Sequence, residues 1–61
     1  MIKNINEELP EKGVTILGYD PNGYMYICFR CTCNNPNCLE WQDAKSGLGL
    51  IIDIDKWEYL N

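Results

Sequence analysis

The chain has no histidine, one phenylalanine, and only five lysines and arginines. It also has no long apolar run. Each shortage excludes something. Without histidine there is no Cys-His or Ser-His pair, and a reactive thiolate needs such a base or a cation beside it. Arg30 can lower a thiol pKa but cannot take its proton, so no catalytic constellation is present. Five cations against nine carboxylates, net charge −4, cannot make the basic stripe that follows a phosphate backbone, which excludes a nucleic-acid duplex as partner. The acidity reads as ordinary solubility. No stretch approaches the roughly 18–20 apolar residues of a membrane helix, and residues 1–6 lack the apolar run of about 7–15 residues found in a secretory signal. The expectation is a cytoplasmic protein with no membrane partner. A reducing compartment turns cysteines toward free thiols or metal ligands.

What is present is a short chain rich in strand formers. Sixty-one residues make one small domain, and a chain of that size buries only about 60% of its unfolded surface. Such cores lean on a metal, a disulfide or a partner subunit, so a homo-oligomer is expected. Residues 1–13 read as a lead-in, with at most one helical turn over Asn6 to Leu9 capped by Asn6, ended by Pro10 and followed by a turn at Gly13. Val14-Thr15-Ile16-Leu17-Gly18-Tyr19 is a first strand. Asp20-Pro21-Asn22-Gly23 is a hairpin turn. The second strand, Tyr24 to Cys33, alternates: Met25, Ile27, Phe29, Cys31 and Cys33 form the expected core face, and Tyr24, Tyr26, Cys28, Arg30 and Thr32 the outer one. After the Asn34-Asn35-Pro36-Asn37 turn, Cys38 to Gln42 is a third strand and Leu50 to Leu60 a fourth. The sum is an all-β fold, a four-stranded antiparallel meander curled into a small half-barrel so that one face can be buried.

The run from Ile5 to Leu60 resembles a family of short domains of unknown function common in bacteriophages and prophages. The likeness rests on the Ile5-to-Gly13 segment with Leu9-Pro10, on Tyr19-Asp20-Pro21-Asn22-Gly23-Tyr24, on the Trp41 strand, and on the closing Lys56-Trp57-Glu58-Tyr59-Leu60. Lys56 stands where the family usually has histidine, the family's closing prolines are missing, and the cysteine-rich middle is not typical of it. The resemblance implies a phage-encoded accessory role in the cytoplasm of a host bacterium and no catalytic residue.

The chemistry-bearing residues are the cysteines and the aromatics. Cys28, Cys31, Cys33 and Cys38 follow C-x2-C-x-C-x4-C, which offers four thiolates to a zinc ion. Strand alternation opposes a single site, because it turns Cys28 away from Cys31 and Cys33. Cys33 and Cys38 flank a turn and also suit a disulfide, and buried inert thiols are the third reading. Asp53 and Asp55, with Asp43, read as a solvated acidic face. Tyr24, Tyr26 and Arg30 on the outer face, with Trp57 and Tyr59 on the last strand, are the expected binding surface, since Tyr, Trp and Arg dominate interface hot spots. Two functions follow. One is a non-enzymatic phage protein that neutralises a host factor, either a defence protein or a small nucleotide signal held between subunits. The other is a zinc-stabilised structural or adaptor module.

Overall fold

In the computed structural model, residues 1–50 and 52–60 are described. They form a single antiparallel sheet of six strands with no helix: β1 (Lys3–Asn4), β2 (Ile16–Tyr19), β3 (Met25–Arg30), β4 (Trp41–Asp43), β5 (Gly49–Leu50) and β6 (Lys56–Tyr59). The all-β class matches the sequence reading. The strand count and the order do not. Strands β2 to β5 run as a meander, but β6 returns to pair with the far side of β2, so the spatial order is β1-β6-β2-β3-β4-β5. As in a Greek key, the connection after the meander brings a later strand beside the meander's first one; here it spans only residues 51–55.

The expected last strand, Leu50 to Leu60, is therefore two strands with a crossing between them. Ile51 lies outside the described residues. Residues 52–55 leave the ladder and pack over the sheet, with Ile54 buried and Ile52 half-buried beside it. The crossing is tied down where the Asp55 amide donates to Tyr19 O and Asp55 O accepts from the Ile5 amide. The hairpin turn forms as expected. The Asp20 side chain accepts from the Asn22 and Tyr24 amides, and Gly23 adopts φ 89°, a left-handed conformation suited to glycine. The lead-in holds one tight turn, but Asn4 caps it rather than Asn6: the Glu7 and Glu8 amides donate to Asn4 O and the Asn6 amide to Asn4 Oδ1.

The main correction concerns which face is the core. Among the described residues, Ile16, Cys28, Trp41, Ile54 and Trp57 form the buried hydrophobic core, and Arg30 is buried with them. Register explains the grouping: Ile16 pairs with Cys28 and Arg30 with Trp41, while Gly18 lies between Tyr26 and Trp57. Met25 and Ile27, expected inside, are 56% and 50% exposed. The physical reason is volume. Two tryptophans and the crossing segment must fit over one face, and that needs small residues beneath them. Gly18 and Cys28 supply the space. A Cβ on Gly18 would stand 2.8 Å from Ile54 Cδ1 and 3.1 Å from Cys28 Sγ. Burying a tryptophan removes about 150–250 Å² from water, roughly 4–6 kcal/mol gross, so the tryptophans decide the face.

The lead-in covers the same side. Trp57 Nε1 donates to Glu8 O at 2.8 Å and Arg30 Nη1 to Pro10 O at 2.9 Å, and Pro10 is fully buried. Thus the sheet buries one face under its own arm and crossing. The other face carries Leu17, Tyr19, Met25, Ile27 and Phe29, which share a side by register.

Candidate metal centre

Strand β3 ends at Arg30, and the Arg30–Trp41 pair closes the hairpin loop of residues 31–40. One further ladder bond, from the Cys31 amide to Glu40 O, holds the loop's neck. Its tip is built by Asn35, whose side chain accepts from the Asn37 amide while its carbonyl accepts from the Cys38 amide. Beyond β3 the chain leaves the regular ladder, with Cys31 half-buried and Cys33 exposed. They turn toward Cys38, and the three sulfurs lie within 4.8 Å of one another.

Cys28 is not part of this group. It is fully buried on the core face beside Gly18, and burial pushes its thiol up to about 11. The four-cysteine site is thus corrected to three: Cys28 belongs to the core, and Cys31, Cys33 and Cys38 converge. All four cysteines are free. A Cys33–Cys38 disulfide would leave Cys31 stranded beside it, whereas a metal uses all three.

Two cations hold the loop: Lys12, which the sequence does not single out, and Arg30, expected instead on the outer binding face. Lys12 Nζ donates to Cys33 O at 2.7 Å and to Asn35 O, and lies 3.8 Å from Cys33 Sγ. From beneath, Arg30 Nη2 donates to Pro36 O and Cys38 O, each at 3.3 Å. Arg30 is 7% exposed, and among the described residues its Nε has no partner and no carboxylate pairs with it. The ion pairs among the described residues are Met1–Glu58 and Lys3–Glu8. A buried charge facing only carbonyls is costly, and an anionic cluster above those carbonyls would offset it. The Cys33 thiol is lowered, first by the backbone hydrogen bond at Asn35 and then by its cysteine neighbours, with the Lys12 charge helping. For Cys38 the backbone hydrogen bond at Glu40 pulls down, but neighbouring Cys33, burial and Cys31 outweigh it and raise the thiol. Spacing alone gives no hint of Lys12, which lies 21 residues from Cys33.

The expected binding residues are scattered. Tyr24 and Tyr59 are exposed, at 68% and 41%. Tyr26 is half-buried, its hydroxyl donating to Asp20 Oδ2 at 3.1 Å. Trp57 is fully buried and packs edge-on against Tyr59. Arg30 and Trp57 therefore belong to the core rather than to an outer surface. Asp43 is a loop cap, its carboxylate accepting from the Lys45 and Ser46 amides, which holds its pKa down. Among the described residues, no helix is long and apolar enough to cross a membrane. Compared with known proteins, the chain matches no family model, no curated protein and no solved structure.

Proposed function

We propose that this chain is a small non-enzymatic binding module whose 31–40 loop is organised by a zinc ion on Cys31, Cys33 and Cys38. The observation that carries the reading is the convergence of those three sulfurs within 4.8 Å. Zinc–sulfur bonds of about 2.3 Å in a tetrahedron set sulfur–sulfur separations near 3.8 Å, so occupancy asks for contraction of at most about 1 Å. Thiolates are soft ligands that suit zinc, and metal binding would add folding energy to a thin core. Native mass spectrometry and melting with and without chelator test it. The expected result is one zinc per chain and a lower Tm in chelator. Cys→Ser at position 31, 33 or 38 should abolish uptake, and Cys28→Ala should not. A metal-free mass and a melt indifferent to chelator would refute it.

A second reading is favoured by the outer sheet face, where Leu17, Met25, Ile27 and Phe29 stand together by register and Met25 and Ile27 are more than half or half exposed. A monomer rarely leaves a contiguous apolar patch without a use for it. With the phage-family resemblance, this face supports an accessory protein that acts in a host bacterium by binding a host protein, or by self-associating around a small nucleotide. Buried Arg30 is withdrawn as a phosphate ligand. Ile27→Lys, an exposed change costing within about 0.5 kcal/mol of stability, should leave the Tm nearly unchanged and abolish self-association in light scattering and capture of host protein in a pull-down. Both persisting in that variant would remove the face from consideration.

A further inference from the structure

The three-thiol site is incomplete in a specific way. Among the described residues, no fourth cysteine or carboxylate joins the group, and the chain has no histidine. A structural zinc is almost always closed by four protein ligands, whereas three leave a position for an incoming molecule. The open side is reachable from solvent, because Cys33 is exposed.

Charge selects what would enter. Three thiolates and a divalent zinc leave one negative charge. Lys12, at 3.8 Å from Cys33 Sγ, and Arg30, bonded to Cys38 O, bring two positive ones. The balance is a single positive charge, which water leaves in place and a monoanion cancels. Among monoanions, a metal already held by sulfur favours another soft sulfur donor.

We propose that the zinc on Cys31, Cys33 and Cys38 keeps an open fourth position beside Lys12, and that this position takes the thiolate of a small exogenous thiol. The inference rests on the zinc reading above. Binding is a ligand exchange with no redox step: the thiol gives its proton to solvent, its sulfur bonds the metal, and the bound water leaves. Lys12 is a positioning residue, whose ammonium steadies Cys33 and the entering anion.

The test uses full-length protein loaded with Co(II), whose visible bands report the ligand set. Free cysteine and imidazole, an anionic and a neutral ligand once bound, are titrated in turn. Cysteine is expected to shift the bands with one-to-one stoichiometry. Lys12→Gln should weaken cysteine about fivefold, the scale of a partly exposed ion pair, and leave imidazole within about twofold. Lys12→Arg, which keeps the charge, should restore the cysteine affinity. Failure to bind Co(II) at all would sink the parent zinc reading. A one-to-one tetrahedral cobalt complex whose bands ignore cysteine would keep the metal site and overturn the open position. So would one cobalt per two chains, since a second copy would then supply the fourth ligand. Equal weakening of cysteine and imidazole by Lys12→Gln would overturn the role given to Lys12.

Discussion

Gly18→Ala tests the assignment of the core face more directly than any other single change. Gly18 sits in β2 between Tyr26 and Trp57, hydrogen-bonded strands on both sides, so its backbone cannot move away. The new methyl would meet Ile54 Cδ1 at 2.8 Å, Cys28 Sγ at 3.1 Å and Ile54 Cγ2 at 3.2 Å, against an ordinary carbon contact of about 3.5–4.0 Å. Overpacking of this kind costs about 1–3 kcal/mol. Replacing glycine where the backbone tolerates it returns about 0.4–1 kcal/mol through the unfolded chain. The net expectation is a loss of about 1–2 kcal/mol, which in a domain this small lowers the Tm by roughly 5–15 °C. Thermal and urea unfolding would measure it. Ile54→Val supplies the control, because it removes Cδ1 at a cost of about 0.5–1.5 kcal/mol on its own. The double variant should be less damaged than the sum, by at least about 0.5 kcal/mol. A Gly18→Ala protein as stable as the parent would show that the crossing does not lie over β2, and strict additivity would clear Ile54 of the clash.

Two other predictions follow from the same face. Arg30→Lys keeps the charge but loses the planar fork that reaches Pro10 O, Pro36 O and Cys38 O, and should cost about 2–3 kcal/mol in urea unfolding; an unchanged midpoint would deny Arg30 its anchoring role. Cys28, raised to about 11, favours the neutral thiol in the fold, so its contribution is complete below the ordinary thiol pKa near 8.5 and is lost as pH climbs through about 11. Tyr19 and Tyr26 are raised too, each mainly by its carboxylate hydrogen bond to Glu58 or Asp20, and fade in the same direction. The Cys28 share is therefore read as a Tm difference between wild type and Cys28→Ala that narrows as pH rises above 9, and a constant difference would contradict it.

Local chemistry was legible and sidedness was not. The Asp20–Gly23 turn follows from proline, asparagine and glycine in that order, a property of four adjacent residues. The face of β3 depends on what lies above it. By hydrophobicity, Met25, Ile27 and Phe29 outrank Tyr26, Cys28 and Arg30, so alternation alone chooses the wrong side. The useful signal was steric. Gly18 is a poor strand residue and Cys28 a small one, which suits a face where bulk must sit over them, and Trp41 and Trp57 are that bulk. The break at residues 52–55 was hidden for a related reason. Ile52 and Ile54 alternate with Asp53 and Asp55 as a strand would, yet the same pattern serves a crossing segment that buries Ile54 and exposes Asp53.

The cysteines show why a motif cannot be read without its strand ends. Spacing alone makes Cys28, Cys31, Cys33 and Cys38 one set, and unbroken alternation puts Cys28 opposite Cys31 and Cys33. Both readings treat the strand as continuing past Arg30. The regular strand ends at Arg30, whose guanidinium reaches three carbonyls from two separate segments, the Pro10 arm and the 31–40 loop. That one buried guanidinium ties the loop's base to the arm, while Cys28 stays in the core and Cys31 and Cys33 lie with Cys38. Arg30, expected at a binding surface, instead links the core to the candidate metal centre.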